Sequence, residues 1–102
     1  MDIVNKVAVQ SAVQSYVNHL NTIGQGDYQV TAEEGRKFYK VVQQYKGSHS
    51  KSVHSFVDKQ TGGLYKAASW AQPAKGVRYD LVKNFDQVRQ VADIYGSYLY
   101  KK

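Results

Sequence analysis

In the segment Tyr65–Lys83, YKAASWAQPAKGVRYDLVK, the cations Lys66, Lys75, Arg78 and Lys83 are interleaved with the rings of Tyr65, Trp70 and Tyr79. Asp80 is its one acid. Ammonium and guanidinium groups neutralise phosphates and aromatic rings stack on unpaired bases, while guanidinium, planar as well as charged, does both. A single strand of nucleic acid offers both an anionic backbone and exposed bases. The pattern has no fixed spacing, however, and the same residues also suit a loop that Trp70 and Tyr79 anchor on the core, with solubilising lysines around it.

Charge distribution favours the first reading. The chain of 102 residues carries a formal charge of +6, but residues 36–83 hold +8 of it and the remainder sums to −2. Arg36, Lys40 and Lys46 lie in that basic middle together with most of the aromatic residues. Segregated positive charge is the electrostatic footprint of a polyanion binder; its plainer role is to keep a small protein in solution.

Other chemistries find little support. Without Cys there is no disulfide frame, thiolate nucleophile or cysteine-ligated zinc. Ser48–Lys51, SHSK, fits Ser-x-x-Lys but lacks the companion motifs of a nucleophile site. His49 and His54 have no carboxylate at ligand spacing and read as surface histidines, and Glu33-Glu34 before Gly35 reads as a turn. Thr61–Gly63 is too short for a phosphate loop. No nucleophile, base and orienter assemble, so neither an enzyme nor a cofactor or metal is expected.

The elements that must position these residues follow from periodicity. Val9, Val13, Tyr16, Val17 and Leu20 form the stripe of an amphipathic helix between Ile3 and Ile23, with Asp2 to cap its start and Gly24 to end it. Alternating and β-branched runs predict strands near residues 28–33, 36–46, 52–58 and 64–70, joined by connections too short for parallel crossovers. After Pro73 and Gly76 a second helix is expected, opened by a capping box at Asn84 and Gln87 and carrying Val88, Val91, Ala92, Tyr95 and Leu99 on one face, with Gly96 to end or bend it. The expected fold is a single α+β domain over residues 1–102: an N-terminal helix, a four-stranded antiparallel meander and a C-terminal helix, with the helices packed on one sheet face. No stretch reaches the ~20 apolar residues of a membrane span, and the N-terminus lacks the features of a signal peptide.

Strand alternation places Tyr39, Val41, Gln43 and Tyr45 on one face and Phe38, Lys40, Val42 and Gln44 on the other; in the last strand Leu64, Lys66 and Trp70 oppose Tyr65. Burying an unpaired ammonium is costly, so the faces bearing Lys40, and Lys66 with Trp70, are expected to be open. If they coincide, one sheet face presents cations beside rings. The candidate nucleic-acid-binding set is Arg36, Tyr39, Lys40, Lys46, Tyr65, Lys66, Trp70, Lys75, Arg78 and Tyr79.

Val57–Leu81, in particular TGGLYKAASW and PAKGVR, resembles a segment of small uncharacterised proteins encoded by marine bacteriophage genomes. The resemblance implies a viral origin and a setting in the cytoplasm of the infected bacterial host, and it carries over no activity. In outline the helix–meander–helix pattern is also similar to sheet-based DNA binders of the Whirly type. The expectation is a non-enzymatic viral protein that binds single-stranded nucleic acid, DNA favoured over RNA, with weak sequence preference. Homo-oligomerisation through open edge strands would accompany it. The alternatives are a host-takeover module that binds an acidic host protein and a virion structural component.

Overall fold

Val9, Val13, Tyr16, Val17 and Leu20 all point to one side of a helix and all are buried. Branched Val residues are modest helix formers, so this helix depends on what it packs against. The computed structural model describes residues 3–24, 26–92 and 97–100, and in it the helix is α1 (Ile3–Ile23). Gly24 ends it, its N–H donating to the Leu20 carbonyl at 2.9 Å. Asp2, Tyr95 and Gly96, assigned roles from sequence, lie outside the described residues.

Five strands follow: β1 (Tyr28–Glu34), β2 (Phe38–Tyr45), β3 (Lys51–Asp58), β4 (Gly63–Lys66) and the two-residue β5 (Tyr79–Asp80). They form one antiparallel meander in chain order. The four expected strands are present. Two details differ: the last stops at Lys66 rather than residue 70, and β5 is additional. The turn from β3 to β4 is built by Asp58, whose Oδ1 accepts the N–H groups of Gln60 and Thr61. Gly62 then takes a positive φ of 80°, and a Cβ there would meet Val82 Cγ2 at 2.8 Å. Only glycine fits both demands.

Val30, Val41, Val57 and Leu64 project from the sheet onto the α1 stripe, and Leu81, Val88 and Leu99 close the core. The protein is thus α+β, with its helices on one sheet face. The C-terminal helix is shorter than its stripe suggests: α2 spans Phe85–Val91, Ala92 is extended, and Leu99 returns on a 3₁₀ turn, Ser97–Tyr100. The capping box does not form, because Asn84 makes no side-chain cap bond. Its N–H donates to the Asp80 carbonyl at 2.9 Å, and the Asp80 carboxylate accepts from Val82 and Lys83. The chain therefore enters α2 through an aspartate turn, and the one acid of the basic segment has a structural task.

A bulge in β3 alters the core. Val41 pairs with Ser55 and Val42 with Val53, so His54 is the extra residue and turns inward beside Ser55. The buried Tyr16 hydroxyl meets His54 Nδ1 at 3.3 Å, Ser55 Oγ at 3.0 Å and the Tyr98 hydroxyl at 2.5 Å. His54 is therefore not a surface histidine: the bulge breaks the alternation on which that reading rests. His49 is exposed.

The open edge of β1 is closed at one point. Asn21 on α1 accepts the Val30 N–H at 2.8 Å and donates to the Val30 carbonyl at 3.0 Å. A side-chain amide thus occupies the place of a neighbouring strand. Among the described residues, no helix is long and apolar enough to cross a membrane.

Candidate nucleic-acid interface

Opposite the helices, the outer sheet face carries an aromatic trio. Phe38 on β2 meets Phe56 on β3 edge-to-face at 6.0 Å between ring centres, and Tyr65 on β4 at 5.7 Å. Phe56 is buried although it faces away from the core, because its neighbours on this face cover it. Lys40, one alternation beyond Phe38 and paired in register with Phe56, completes the row.

Trp70 reaches this face by a route that strand alternation does not describe. After β4 the chain turns back on itself. Ala67 bridges Pro73, Ala68 and Ser69 donate to the Gln72 carbonyl at 3.0 and 3.1 Å, and Ala74 donates to the Lys66 carbonyl at 2.8 Å. Trp70 stands at the tip of this small hairpin. It is 49 % exposed, and Lys40 Nζ lies 4.3 Å from the centre of its ring. Such an ammonium–indole contact is worth about 0.5–1 kcal/mol at an exposed site, enough to bias the ring's position without fixing it. Between this hairpin and the β1–β2 turn lies a groove of about 360 Å³, lined by Phe38, Phe56 and Ala71, by the cations Arg36, Lys37 and Lys40, and by the acids Glu33 and Glu34.

The β1–β2 turn that presents Arg36 and Lys37 is braced from three directions. Gly35 N–H donates to the Phe38 carbonyl at 2.9 Å, and Lys59 N–H donates to the Lys37 carbonyl at 3.0 Å. Lys59 Nζ then donates to the Gly35 carbonyl at 2.9 Å and to Glu34 Oε2 at 2.6 Å. That hydrogen bond, with the Lys59 charge behind it, holds the Glu34 carboxyl below the usual carboxylate range. Lys59 is thus consumed in holding the turn, whereas Arg36, Lys37, Lys40, Lys46 and Lys75 form no ion pair with another described residue.

A family model matches residues 2–101, nearly the whole chain. The chain belongs to the family of unknown function DUF7717. No curated protein and no solved structure matches it. Within this DUF7717 chain the candidate residues divide into groups. Arg36, Lys40, Tyr65 and Trp70 come together around the outer face and the groove. Lys75 is exposed on the loop that follows the hairpin, and Lys46 sits at the opposite end of β2, beside the exposed Tyr45.

The remaining four turn elsewhere. Tyr39 and Tyr79 pack against the core on the helix side, in one row with Val57 and Leu64. The Tyr79 hydroxyl donates to the Tyr98 carbonyl at 3.4 Å. Arg78 Nε donates to the Leu99 carbonyl at 2.8 Å, and its Nη1 reaches the Lys75 and Gly76 carbonyls, so its guanidinium fastens the C-terminal turn. Lys66 follows the buried Leu64 in β4 and so belongs to the helix side. The faces of Lys40 and Lys66 therefore do not coincide. Lys6, Lys37 and Lys59 at the turn were missed by sequence reasoning. Phe38 shares the parity of Lys40 and was legible, whereas the approach of Lys6 and Lys59 depends on tertiary packing.

Proposed function

We propose that this protein binds single-stranded nucleic acid, DNA in preference to RNA, on its outer sheet face and without catalysis. The carrying observation is Trp70, half exposed at a hairpin tip with Lys40 against its ring, beside the Phe38–Phe56–Tyr65 trio. Stacking of a base on an aromatic ring is worth about 1–3 kcal/mol and tolerates any base, which gives weak sequence preference. Lys40, Arg36 and Lys37 line the neighbouring groove with Glu33 and with Glu34, which is paired to Lys59, and supply net positive charge for the backbone. The reading keeps the rings and cations of the outer face, releases Tyr39, Arg78 and Tyr79 to structural roles and leaves Lys66 on the opposite face.

Titration of the protein with single- and double-stranded oligonucleotides, followed by Trp70 fluorescence at several salt concentrations, tests it. Quenching by single strands, with affinity falling steeply as salt rises, is the expected result. A flat titration with both at low salt refutes it and favours an acidic protein as the partner of the basic turn.

A further inference from the structure

On the far side of Arg36 and Lys37 from the aromatic groove lies a second recess, of about 220 Å³, lined by Lys6, Arg36, Lys37, Asp58, Lys59 and Gln60. We propose that this recess binds a terminal phosphate, carried by the end of a strand or by a free nucleotide, while the adjoining groove takes the base attached to it. The inference rests on the nucleic-acid reading above and deepens it.

Charge selects the ligand. The recess is lined by four cations and one acid, Asp58, and one of the four, Lys59, is paired at 2.6 Å with Glu34, which with Glu33 lines the adjoining groove. Two positive charges remain in excess. Asp58 is partly spent, its Oδ1 accepting two backbone N–H groups of its own turn. An internal phosphodiester carries one negative charge, whereas a terminal phosphate carries about −1.5 to −2 at neutral pH and offers three strong acceptor oxygens. The excess of charge in one small recess matches the terminal group. Arg36 adds a planar donor fork suited to two phosphate oxygens at once.

Geometry supports the pairing with a base. Arg36 and Lys37 line both the recess and the groove, so one braced turn separates an aromatic compartment from a cationic one. A nucleotide has the same two-part composition. The brace also fixes where the cations stand, since Lys59 bonds Gly35 and Lys37 through its side chain and backbone respectively. In this scheme Lys59 positions the site, and Lys6, Arg36 and Lys37 contact the phosphate.

The test compares a short oligothymidylate bearing a 5′-phosphate, a 3′-phosphate or hydroxyl ends, together with thymidine monophosphate and inorganic phosphate as competitors. One phosphorylated end should bind about ten- to a hundredfold more tightly than the hydroxyl-ended strand, the gain from one or two added charge-assisted hydrogen bonds. Lys6→Ala, which touches the recess and not the groove, should abolish that difference while keeping the binding of the hydroxyl-ended strand. Lys6→Arg should restore it, which a merely structural loss would not. Equal binding of all three strands overturns the inference and leaves the nucleic-acid reading intact. Binding of the monophosphate with no strand bound upholds the phosphate site and refutes the strand reading. Failure of every ligand refutes both.

Discussion

Replacement of Trp70 separates a stacking platform from a packing residue. At 49 % exposure, Trp70 withdraws about half its surface from water. That is roughly 120 Å² of the ~250 Å² a Trp can bury. At about 25 cal/mol per Å² the contribution is about 3 kcal/mol as an upper bound, which the compactness of unfolded chains reduces to about 2 kcal/mol. Trp70→Ala should therefore lower stability by about 2 kcal/mol, less than the ~3–5 kcal/mol of a buried aromatic. Against a total of ~5–15 kcal/mol the variant stays folded. Its affinity for a labelled single strand should fall by ~1–3 kcal/mol, roughly 5- to 150-fold in Kd, while Trp70→Phe keeps most of it. Urea unfolding followed by circular dichroism and anisotropy of the labelled strand measure the two quantities on the same variants. A loss of stability of about 4 kcal/mol or more would place the indole in the core. Unchanged affinity in a folded Trp70→Ala protein would refute stacking.

Arg78→Ala removes the bond to Leu99 and should cost about 1.5–3 kcal/mol of stability with the salt dependence of binding unaltered, whereas Arg36→Ala should leave stability within about ±0.5 kcal/mol and make the salt slope shallower by about one. Thermal melts and salt titrations distinguish them, and the reverse pattern would move the phosphate track to the C-terminal side. Tyr16→Phe removes the hydroxyl shared by His54, Ser55 and Tyr98 and should cost about 1–3 kcal/mol in urea unfolding; a neutral result would show that the buried cluster satisfies itself without it. Asn21→Ala frees the Val30 N–H and carbonyl at the sheet edge and should produce concentration-dependent self-association in sedimentation; a monodisperse variant would show that the edge needs no cover. Glu34 has a folded pKa below its unfolded one, so its contribution to stability is present above the unfolded pKa and is lost as pH falls through the folded pKa. In Lys59→Met the Glu34 carboxyl, followed by NMR, should titrate at higher pH, nearer the ordinary range; an unmoved midpoint would deny the brace.

Periodicity made the two-layer architecture legible, because the helix stripe specifies a buried side and the alternating and β-branched runs specify strands joined by connections too short for crossovers. Alternation also put Lys40 and Phe38 together. It failed beyond Lys66, where the chain leaves the sheet and returns: the backbone bonds from Ala68 and Ser69 to Gln72 fold Trp70 over Lys40, and no side-chain pattern encodes that reversal. Tyr39 and Tyr79 were counted as exposed rings because Tyr suits a half-wet core edge as readily as a binding face. The short β5 carries too few residues for any period. Arg78 illustrates a general ambiguity of composition: a guanidinium that binds backbone carbonyls looks, in sequence, the same as one that waits for a phosphate.

The bulge in β3 bears on how this sheet tolerates changes of length. Flanking His54, Val53 lies on the outer face and Ser55 faces the helices, so the alternation on both sides is in phase as though His54 were absent. A chain lacking His54 would keep Val42 opposite Val53 and Val41 opposite Ser55, with Phe56 still turned to the outer face. Removal of another residue from the middle of β3 would either turn side chains to the wrong faces or draw His54 into the vacated place, so that the bulge is lost. The bulge therefore gives this strand one residue to spare, and the loss of His54 would empty part of the polar core under α1 without disturbing the aromatic surface across the sheet.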